Sequence, residues 1–459
     1  MNISPARRAA FEILRRVEEE ESYSSVLLAT TLGDLSPKDR GLCHELVLGT
    51  LRRRLWLDRS LEHYAARKAG SLDLPVLLAL RLGLYQLRFL TRIPPSAAVN
   101  ESVNLVRAAR LKSAVSFVNA VLRRATRQPD FDPAASLTDK VEKLGVQSSH
   151  PPWLIERWIA QFGEAEAAAL AHANNQPGGS AFRLTAQAVA QGYSVTRLLN
   201  ELRSTGESVA PSDIAAGGWR CLGEGDDAND DGGISTTSAL RKLQQDGLIY
   251  FQDAASQLVA QLAAAGKPDR VLDVCAAPGS KSTLIAALAP QAKIISGDLY
   301  EHRVRTMREL AHLQQASINP IVHDATRALP FAEKSFDRVL VDAPCSGTGT
   351  LRHNPEIRWR LQPKDIDELA DRQKLILSEA AMTVQPGGVL LYSTCSVEVD
   401  ENEAVARAFL DAHPHFEPQA LDISSDLLTA DRLYVRTWPH RQQTDGFFVA
   451  AFRRLPEQG

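Results

Sequence analysis

Two cysteines, Cys345 and Cys395, are the residues of this chain best suited to chemistry, because a cysteine thiolate is a strong nucleophile. Each follows an apolar run that predicts a buried parallel strand, over residues 338–342 and 389–393 respectively. In an open α/β sheet, ligands bind at the carboxyl ends of the strands. Pro, Ser, Thr and Gly surround both cysteines, which favours a reactive loop position over burial as a small apolar side chain. We therefore expect both thiols at the reactive edge of one sheet.

A third strand-like run, residues 271–274, leads into a segment typical of a cofactor loop. That segment is Cys275-Ala276-Ala277-Pro278-Gly279-Ser280-Lys281. Gly279 lets the backbone approach a ligand closely, and Pro278 stiffens the turn. The glycines do not follow the GxGxxG pattern, so a dinucleotide is not the first choice of cofactor.

Aspartates stand at the ends of three consecutive predicted strands: Asp273, Asp298 and Asp324. In nucleotide-binding sheets an acidic residue about 20 residues after the loop binds ribose hydroxyls, which is the place of Asp298. Asp324 would then lie near an adenine edge. One such aspartate would be an ordinary strand-end residue, but three in succession indicate adenosine recognition without a pyrophosphate. S-adenosylmethionine has that shape.

The cysteines and the cofactor loop together indicate a methyltransferase that acts on cytosine in RNA. C5 of cytosine is a poor nucleophile, and addition of a thiolate to C6 makes C5 enamine-like, so that it can attack a methyl donor. A base must then remove the C5 proton so that the thiol is eliminated. Asp342, three residues before Cys345, can stabilise the charge that develops near N3. The spacing alone leaves open whether Cys345 or Cys395 is the nucleophile.

The N-terminal residues predict an all-helical bundle. Ser4 can cap a helix with Pro5 at its first position, and further apolar patterns predict helices over 46–61, 74–90 and 97–110. Residues 1–130 hold 21 Lys and Arg against 13 Asp and Glu, whereas the whole chain has a net charge of −3. A basic surface is typical of RNA binding, although a solvated helical surface accounts for the charge equally well. Most of the clustered charge is expected from Arg52, Arg53, Arg54, Arg123, Arg124 and Arg127.

The middle of the chain predicts a linker followed by a small α+β module. Residues 131–150 are polar and weakly patterned, which predicts the linker, and a helix is expected from Pro151 through Phe162 to His172. Short strand-like segments follow around Phe182 and Trp219. The acidic run 226–233 lacks the ligand spacing of a cation site, so we interpret it as a solvated loop.

From about residue 247 onwards, strands and helices alternate. The predicted strands are 271–274, 294–297, 321–323, 338–342, 389–393 and 447–452, and the predicted helices are 281–288, 302–313 and 365–383. Such alternation predicts a mostly parallel, Rossmann-like sheet with right-handed crossovers. The expected domains are therefore a helical bundle over 1–135, an α+β linker module over 150–240 and an α/β domain over 247–456.

Composition excludes several other classes of protein. The chain has 459 residues, with 44% apolar and 23% charged residues, as in globular proteins. Its five cysteines have no CxxC spacing, so we expect neither a zinc site nor a disulfide framework. The sequence shows no signal-peptide core and no apolar run of membrane-spanning length, so we expect a cytoplasmic monomer that does not associate with a membrane.

The motifs resemble those of the RNA 5-methylcytosine methyltransferases. The matching segments are Asp273–Lys281, Asp342–Gly349, Ser393–Ser396 with Glu401-Asn402-Glu403, and Asp445–Phe448. Ile93-Pro94-Pro95, Val99–Val103 and Phe117–Arg123 resemble the NusB-like RNA-binding domain of the bacterial enzymes that act on 16S ribosomal RNA. The resemblance extends over nearly the whole chain and is weakest at 150–240.

The resemblance implies that Cys395 is the nucleophile and that Cys345 assists elimination. DNA cytosine methyltransferases instead use the cysteine of their Pro-Cys motif, so the residue types alone do not decide which cysteine is the nucleophile. The resemblance also places S-adenosylmethionine against the loop 275–281 and against Asp298, Asp324 and Asp342. Two departures stand out: Ser280 occupies a position where Gly is commoner, and Arg352–Pro355 replaces a more basic run, which would alter contacts with RNA.

Proteins of two other classes share parts of this pattern. A non-catalytic RNA-binding or antitermination factor would keep the NusB-like domain and lose the site, but Asp273, Asp342, Cys345 and Cys395 are intact. A nicotinamide-dependent oxidoreductase fits the α/β pattern, yet it explains neither the missing GxGxxG nor the paired cysteines. Binding of S-adenosylmethionine against NAD separates the methyltransferase from the oxidoreductase.

Overall fold

The computed structural model describes residues 3–205, 207–222 and 238–456. Their contacts define two compact units: residues 3–177 with 351–360 form the first, and the other described residues form the second. The acidic run 226–233 lies outside the described residues. None of the described helices has both the length and the apolar character that crossing a bilayer requires. The three-domain division of the sequence stays a prediction.

The first unit is helical up to residue 177. Its helices in this part of the chain are α1 Pro5–Glu19, α2 Ser24–Thr31, α3 Pro37–Arg52, α4 Arg54–Ala65, α5 Leu74–Phe89, α6 Pro95–Ala108, α7 Val115–Arg127, α8 Lys140–Ser148, α9 Pro152–Phe162 and α10 Glu164–Ala173. The predicted start of α1 is confirmed, since Ser4 is its N-cap residue and Pro5 is its first. Almost all of α5 is buried, and aliphatic side chains of α1, α3, α4, α6 and α7 join it in one core.

Three sequence predictions about these helices are wrong. The helix expected over 46–61 is two helices, because α3 ends at Arg52 and α4 begins at Arg54. The helix expected from Pro151 to His172 is divided at Gly163, whose φ of +84° ends α9. The linker expected over 131–150 contains α8, which Asp139 caps through its side chain.

The arginine run at the end of α3 does not supply surface charge, contrary to the prediction. Arg52 is 5% exposed and donates to the Arg352 carbonyl at 2.7 Å. The Arg53 guanidinium lies 5.1 Å from the ring centre of Phe89, and Arg54 pairs with Glu18 at 3.1 Å. Burial lowers the pKa of all three arginines. These three side chains are therefore engaged in contacts within the first unit.

Residues 351–360 belong to the first unit although they follow the Cys345 loop in sequence. Arg358 is fully buried and donates to the carbonyls of Ser149 and Asn174 at 3.2 Å each. Arg352, where the sequence departs from the more basic family run, is 7% exposed and donates to the Pro177 carbonyl at 2.8 Å. Its guanidinium is thus engaged with backbone.

The second unit contains two sheets and the remaining helices. In chain order its elements are β1 Ala181–Leu184, α11 Ala186–Ala190, α12 Val195–Ser204, β2 Ser208–Pro211, β3 Gly218–Leu222, α13 Ser238–Gln245, β4 Ile249–Phe251, α14 Ala254–Ala264, β5 Arg270–Asp273, α15 Ser280–Leu288, β6 Lys293–Asp298, α16 Glu301–Gln314, β7 Asn319–Val322 and β8 Phe336–Asp342. After α17 Ile357–Arg360, which lies in the first unit, follow α18 Pro363–Thr383, β9 Val384–Thr394, α19 Glu403–Ala412, β10 Phe416–Pro418, β11 Val435–Arg436 and β12 Phe448–Arg454.

The larger sheet has the strand order β10-β12-β9-β8-β5-β6-β7, with β11 paired to β12. The five strands from β9 to β7 are parallel, whereas β12, β10 and β11 pair antiparallel. A smaller antiparallel sheet has the order β2-β3-β1-β4. The prediction of a helical bundle, an α+β module and a mostly parallel α/β sheet is confirmed.

All six strands predicted after residue 247 are present, with ends shifted by a few residues. Parallel strands present their carboxyl ends at one edge, so the residues after β5, β6, β7, β8 and β9 share an edge. The register shows this directly, because Asp273 pairs with Leu340 and Asp342 pairs with Ser393. The candidate site stands at this edge.

Candidate active site

The two cysteines meet in the loops that follow β8 and β9. Their Sγ atoms lie 3.3 Å apart. Contact with the Cys395 thiol and then burial raise the pKa of Cys345 well above its usual value. Cys345 therefore keeps its proton at neutral pH, whereas an attacking thiol must lose its proton.

Close backbone contacts hold the two cysteine loops together. The amide of Gly349 donates to the Cys395 carbonyl at 3.0 Å, and the amide of Gly446 donates to the Gly349 carbonyl at 2.8 Å. A Cβ on Gly349 would lie 1.9 Å from the carbonyl oxygen of Gly446. Only glycine fits there, which explains the glycine four residues after Cys345.

A buried carboxylate, Glu401, joins the two loops through side chains. Its Oε1 accepts from the backbone amide of Ser346 at 2.8 Å and from Gln373 Nε2 at 3.0 Å. Its Oε2 accepts from the hydroxyls of Ser346 and Ser396, the latter at 2.5 Å. Burial raises the pKa of Glu401, and these hydrogen bonds oppose the rise. Ser346 and Ser396, which directly follow the two cysteines, are thus hydrogen-bonded to the same carboxylate.

Asn402, next to Glu401, fixes the backbone around Cys395. Its Oδ1 accepts from the Thr394 hydroxyl at 2.5 Å, and its Nδ2 donates to the Ser396 carbonyl at 2.9 Å. The residues on both sides of Cys395 are therefore held by one side chain, which limits the motion of the thiol.

Asp342 ends β8 and is held by two donors. Lys281 Nζ donates to its Oδ2 at 2.7 Å, and Ser393 Oγ donates to its Oδ1 at 2.7 Å. Burial lowers the pKa of Lys281, but the Asp342 carboxylate more than offsets this, and the net pKa is raised. Lys281 therefore stays cationic, and it ties the cofactor loop to the strand that precedes Cys345.

The cofactor loop turns into α15 at Gly279, which has a φ of +101°. A Cβ there would lie 2.7 Å from Met307 Cγ, so the position excludes other residues. Ser280 begins the helix and is not among the residues of positive φ, so its side chain is tolerated. Buried Arg183 of β1 donates to the Ser280 carbonyl at 3.1 Å, and burial lowers its pKa to about 10.

Asp273 lies at the end of β5 and is fully buried. Ser282 Oγ donates to its Oδ2 at 2.6 Å, whereas its buried Oδ1 has no hydrogen-bond partner among the described residues. Burial raises the pKa of Asp273 to about 7. An acceptor without a donor at the base of the loop is what a cofactor bearing N–H or O–H groups would satisfy.

The other two strand-end aspartates differ in burial. Asp298 ends β6, is 5% exposed, accepts from the Tyr300 amide at 3.2 Å and pairs with Arg303 at 3.3 Å. Asp324 follows β7 by two residues and accepts from the Thr326 hydroxyl at 2.6 Å, which lowers its pKa. Both stand at the same edge as Asp273, in the order of the strands.

Two other cysteines differ from the pair. Cys43 is fully buried in the first unit, and burial raises its pKa to about 12. Cys275 is half-buried in the cofactor loop, and burial likewise raises its pKa. Neither contacts a second thiol in the part of the chain that the structure describes.

Sequence reasoning missed several residues that hold this site. Glu401 and Asn402 stood inside a matched motif, but nothing in the pattern gave them a role. Arg183 and Gln373 carried no signal, because they come from a distant strand and from the middle of α18. A buried charged residue that bonds a loop is visible only once the fold is known.

Comparison with known proteins shows the family to which this chain belongs. Residues 260–453 match the family described as "16S rRNA methyltransferase RsmB/F", and residues 4–127 match the NusB family. The "Probable ribosomal RNA small subunit methyltransferase B" of Bacillus subtilis (strain 168) is 35% identical over 99% of this chain and 100% of its own. The chain belongs to the RsmB/F family of ribosomal RNA methyltransferases.

Other comparisons agree with this membership. The "Ribosomal RNA small subunit methyltransferase B" of Yersinia pestis bv. Antiqua (strain Angola) is 30% identical over 97% of each chain. The crystal structure of PH0851 is 26% identical, with a TM-score of 0.80 over 99% of this chain and 100% of that one. The predicted resemblance to RsmB with its NusB-like domain is confirmed, and the enzyme acts on ribosomal RNA.

S-adenosylmethionine is the cofactor, as predicted, and the residues at the sheet edge fit it. Gly279 leaves the loop backbone open where a side chain would clash. The unpartnered Oδ1 of Asp273 and the buried carboxylate of Asp298 offer acceptors to amino and hydroxyl groups. Cys275–Lys281, Asp298, Asp324 and Asp342 are the residues that would hold it.

Proposed function

We propose that the enzyme methylates C5 of one cytosine in 16S ribosomal RNA through a covalent bond between Cys395 Sγ and C6. The observation that carries the proposal is the 3.3 Å separation of the two thiols at the ends of neighbouring strands. A single nucleophile would not need a second, protonated thiol beside it. The target cytosine has to leave any base stack to reach such a site, so we expect an unpaired or loop cytosine.

Attack is assigned to Cys395 and charge stabilisation to Asp342. The Cys395 thiolate forms the Sγ–C6 bond, and the electron pair of the C5–C6 double bond becomes available at C5. Asp342, held by Lys281 and Ser393, would face N3 and stabilise the charge on the ring. S-adenosylmethionine supplies the methyl group that C5 takes.

Release is assigned to Cys345. The C5 proton must leave, the C5–C6 double bond forms again and the C6–Sγ bond breaks. Cys345 can pass its proton to the departing sulfur of Cys395 and be restored by the proton from C5, so that the exchange balances. The raised pKa of Cys345 keeps the required proton in place before release.

The alternatives fit the site less well. A non-catalytic RNA-binding factor gives no reason for two adjacent thiols whose neighbouring residues are held by Glu401 and Asn402. A nicotinamide-dependent oxidoreductase does not agree with membership of a methyltransferase family. We further propose that the enzyme works as a cytoplasmic monomer.

The test is to map methylation on unmodified 16S ribosomal RNA incubated with the enzyme and S-adenosylmethionine. Bisulfite sequencing and mass spectrometry of nucleosides should show 5-methylcytosine at one position, and the Cys395→Ala variant should give none. Methyl groups on another base, or on another atom of cytosine, would overturn the proposal.

A further inference from the structure

A basic surface lies between α6 and α7 of the first unit. Between residues 90 and 128 the sequence has seven Lys and Arg but one acid, Glu101, which accepts from the backbone amide of Ser4. The net charge of +6 in this stretch makes up most of the excess positive charge of residues 1–130. The exposed positive charge that the sequence led us to expect from Arg52–Arg54 is thus found in this stretch instead.

Helical spacing puts polar residues of both helices on facing sides. On α6 these are Ser96, Asn100, Asn104 and Arg107, and on α7 they are Ser116, Asn119, Arg123 and Arg127. Residues three or four apart lie on one face of a helix. Each set therefore forms a stripe, about 16 Å long at 1.5 Å per residue.

Two adjoining pockets run along the two stripes. One, of about 330 Å³, is lined by Ser96 and Asn100 of α6 and by Arg123 and Arg127 of α7. The other, of about 450 Å³, is lined by Asn100, Asn104 and Arg107 together with Ser116 and Asn119. They share Asn100 and form one groove, which we call the α6–α7 groove.

The cations of this groove are not neutralised. Arg107, Arg123 and Arg127 are exposed, and none pairs with a carboxylate among the described residues. Arg107 and Arg123 instead donate to the amide oxygens of Asn104 and Asn119, at 3.0 Å each. These neutral partners orient the guanidinium groups and leave their charge available.

Three other arginines at or near the surface of the first unit are paired with carboxylates instead. Arg15 pairs with Glu12 and Glu19, Arg16 pairs with Glu20 at 2.9 Å, and Arg59 pairs with Glu142 at 3.1 Å. The groove therefore brings three guanidinium groups without carboxylate partners together on two facing helices. A polyanion is the ligand that such a surface attracts.

We propose that the α6–α7 groove binds an unpaired segment of the ribosomal RNA substrate. Guanidinium groups would contact phosphates, and the asparagine and serine side chains would contact bases or 2′-hydroxyls, which an unpaired strand exposes. The inference rests on the proposed action on 16S ribosomal RNA. It adds the location at which the first unit binds that RNA.

The test compares two triple variants that change the net charge equally. In one, Arg107, Arg123 and Arg127 are changed to Gln; in the control, Arg15, Arg16 and Arg59 are changed to Gln. All six side chains are at or near the surface, so both variants should fold, which thermal unfolding checks. Affinity for a 16S ribosomal RNA transcript is measured against salt concentration.

The groove variant should lose roughly tenfold in affinity, and the slope of log affinity against log salt should fall by about 2, as expected for three lost phosphate contacts on a single strand. KM for RNA should rise, while cofactor affinity stays unchanged. Equal affinities and slopes for the two variants would overturn the groove proposal. Failure of the wild-type enzyme to form 5-methylcytosine would instead count against the proposed function, and the affinity measurement separates the two failures.

Discussion

Ser346 Oγ and Ser396 Oγ lie 3.1 Å apart and donate to the same oxygen of Glu401. Each serine directly follows one of the paired cysteines, so a single carboxylate links the two loops in which the thiols lie 3.3 Å apart. The catalytic proposal depends on that distance, because proton exchange between Cys345 and Cys395 requires contact.

Substitution of each cysteine by Ala should have a different result. Cys395→Ala should abolish methyl transfer and keep cofactor affinity, because the thiol takes no part in the adenosine pocket. Cys345→Ala should accumulate a covalent protein–RNA adduct, because addition continues while elimination is impaired. Denaturing gels with labelled RNA detect the adduct as a shifted, nuclease-sensitive band. An adduct with the Cys395 variant instead would mean that the two roles are exchanged.

Glu401→Gln should slow methyl transfer by up to about a hundredfold, the order of loss that a small misplacement of reacting groups produces. The amide keeps one acceptor for the Ser346 amide but turns the other oxygen into a donor, so the serine hydroxyls must rearrange. The readouts are kcat in single-turnover experiments and calorimetric cofactor affinity.

The control for this change is Glu368→Gln on the exposed side of α18, which alters the charge equally. Loss of kcat with unchanged cofactor affinity supports a positioning role for Glu401. Equal kcat for the two variants would show that the carboxylate does not set the thiol geometry.

Much of the site could be predicted from the sequence because its parts are local. Each thiol, the cofactor loop and the strand-end aspartates stand next to runs that predict strands, and parallel strands bring their ends to one edge. Contacts between distant segments could not be predicted in this way. Arg183 and Glu401 support loops far from them in sequence, and no local pattern indicates the partner.

The same distinction explains the errors in the helical unit. The Arg52–Arg54 run has the composition of a surface patch, yet its side chains contact Glu18, Phe89 and the Arg352 carbonyl. Burial of charge is set by tertiary contacts, and composition carries no information about them. The α6–α7 groove shows the converse, since its arginines stay at the surface.

Asp298→Ala should weaken cofactor binding by about tenfold to a hundredfold, because hydrogen bonds to a charged group contribute roughly 1.5–3 kcal/mol each. Calorimetry with S-adenosylhomocysteine measures the loss. Asp422→Ala, an exposed carboxylate in the same unit, is the control and should bind as the wild type does. Unchanged affinity of the Asp298 variant would remove this residue from the ribose site.

Asp273→Asn should change how stability depends on pH. Burial raises the pKa of Asp273 to about 7 in the folded protein, against an ordinary value of 3.8. A carboxyl group with a raised folded pKa stabilises the fold below its unfolded pKa, and that contribution is lost as pH rises through about 7. The wild type should therefore lose stability relative to the Asn variant between pH 4 and 7, by at most roughly 4 kcal/mol.

Thermal unfolding of both proteins at pH 5 and pH 8, without cofactor, measures this difference. The Tm of the Asn variant minus that of the wild type should be larger at pH 8 than at pH 5, because the amide cannot ionise where Asp273 must. The exposed Asp422→Asn variant, measured at the same two pH values, controls for the loss of one carboxylate. A difference for Asp273→Asn that is the same at both pH values would mean that this carboxyl group is already ionised in the folded enzyme at pH 5.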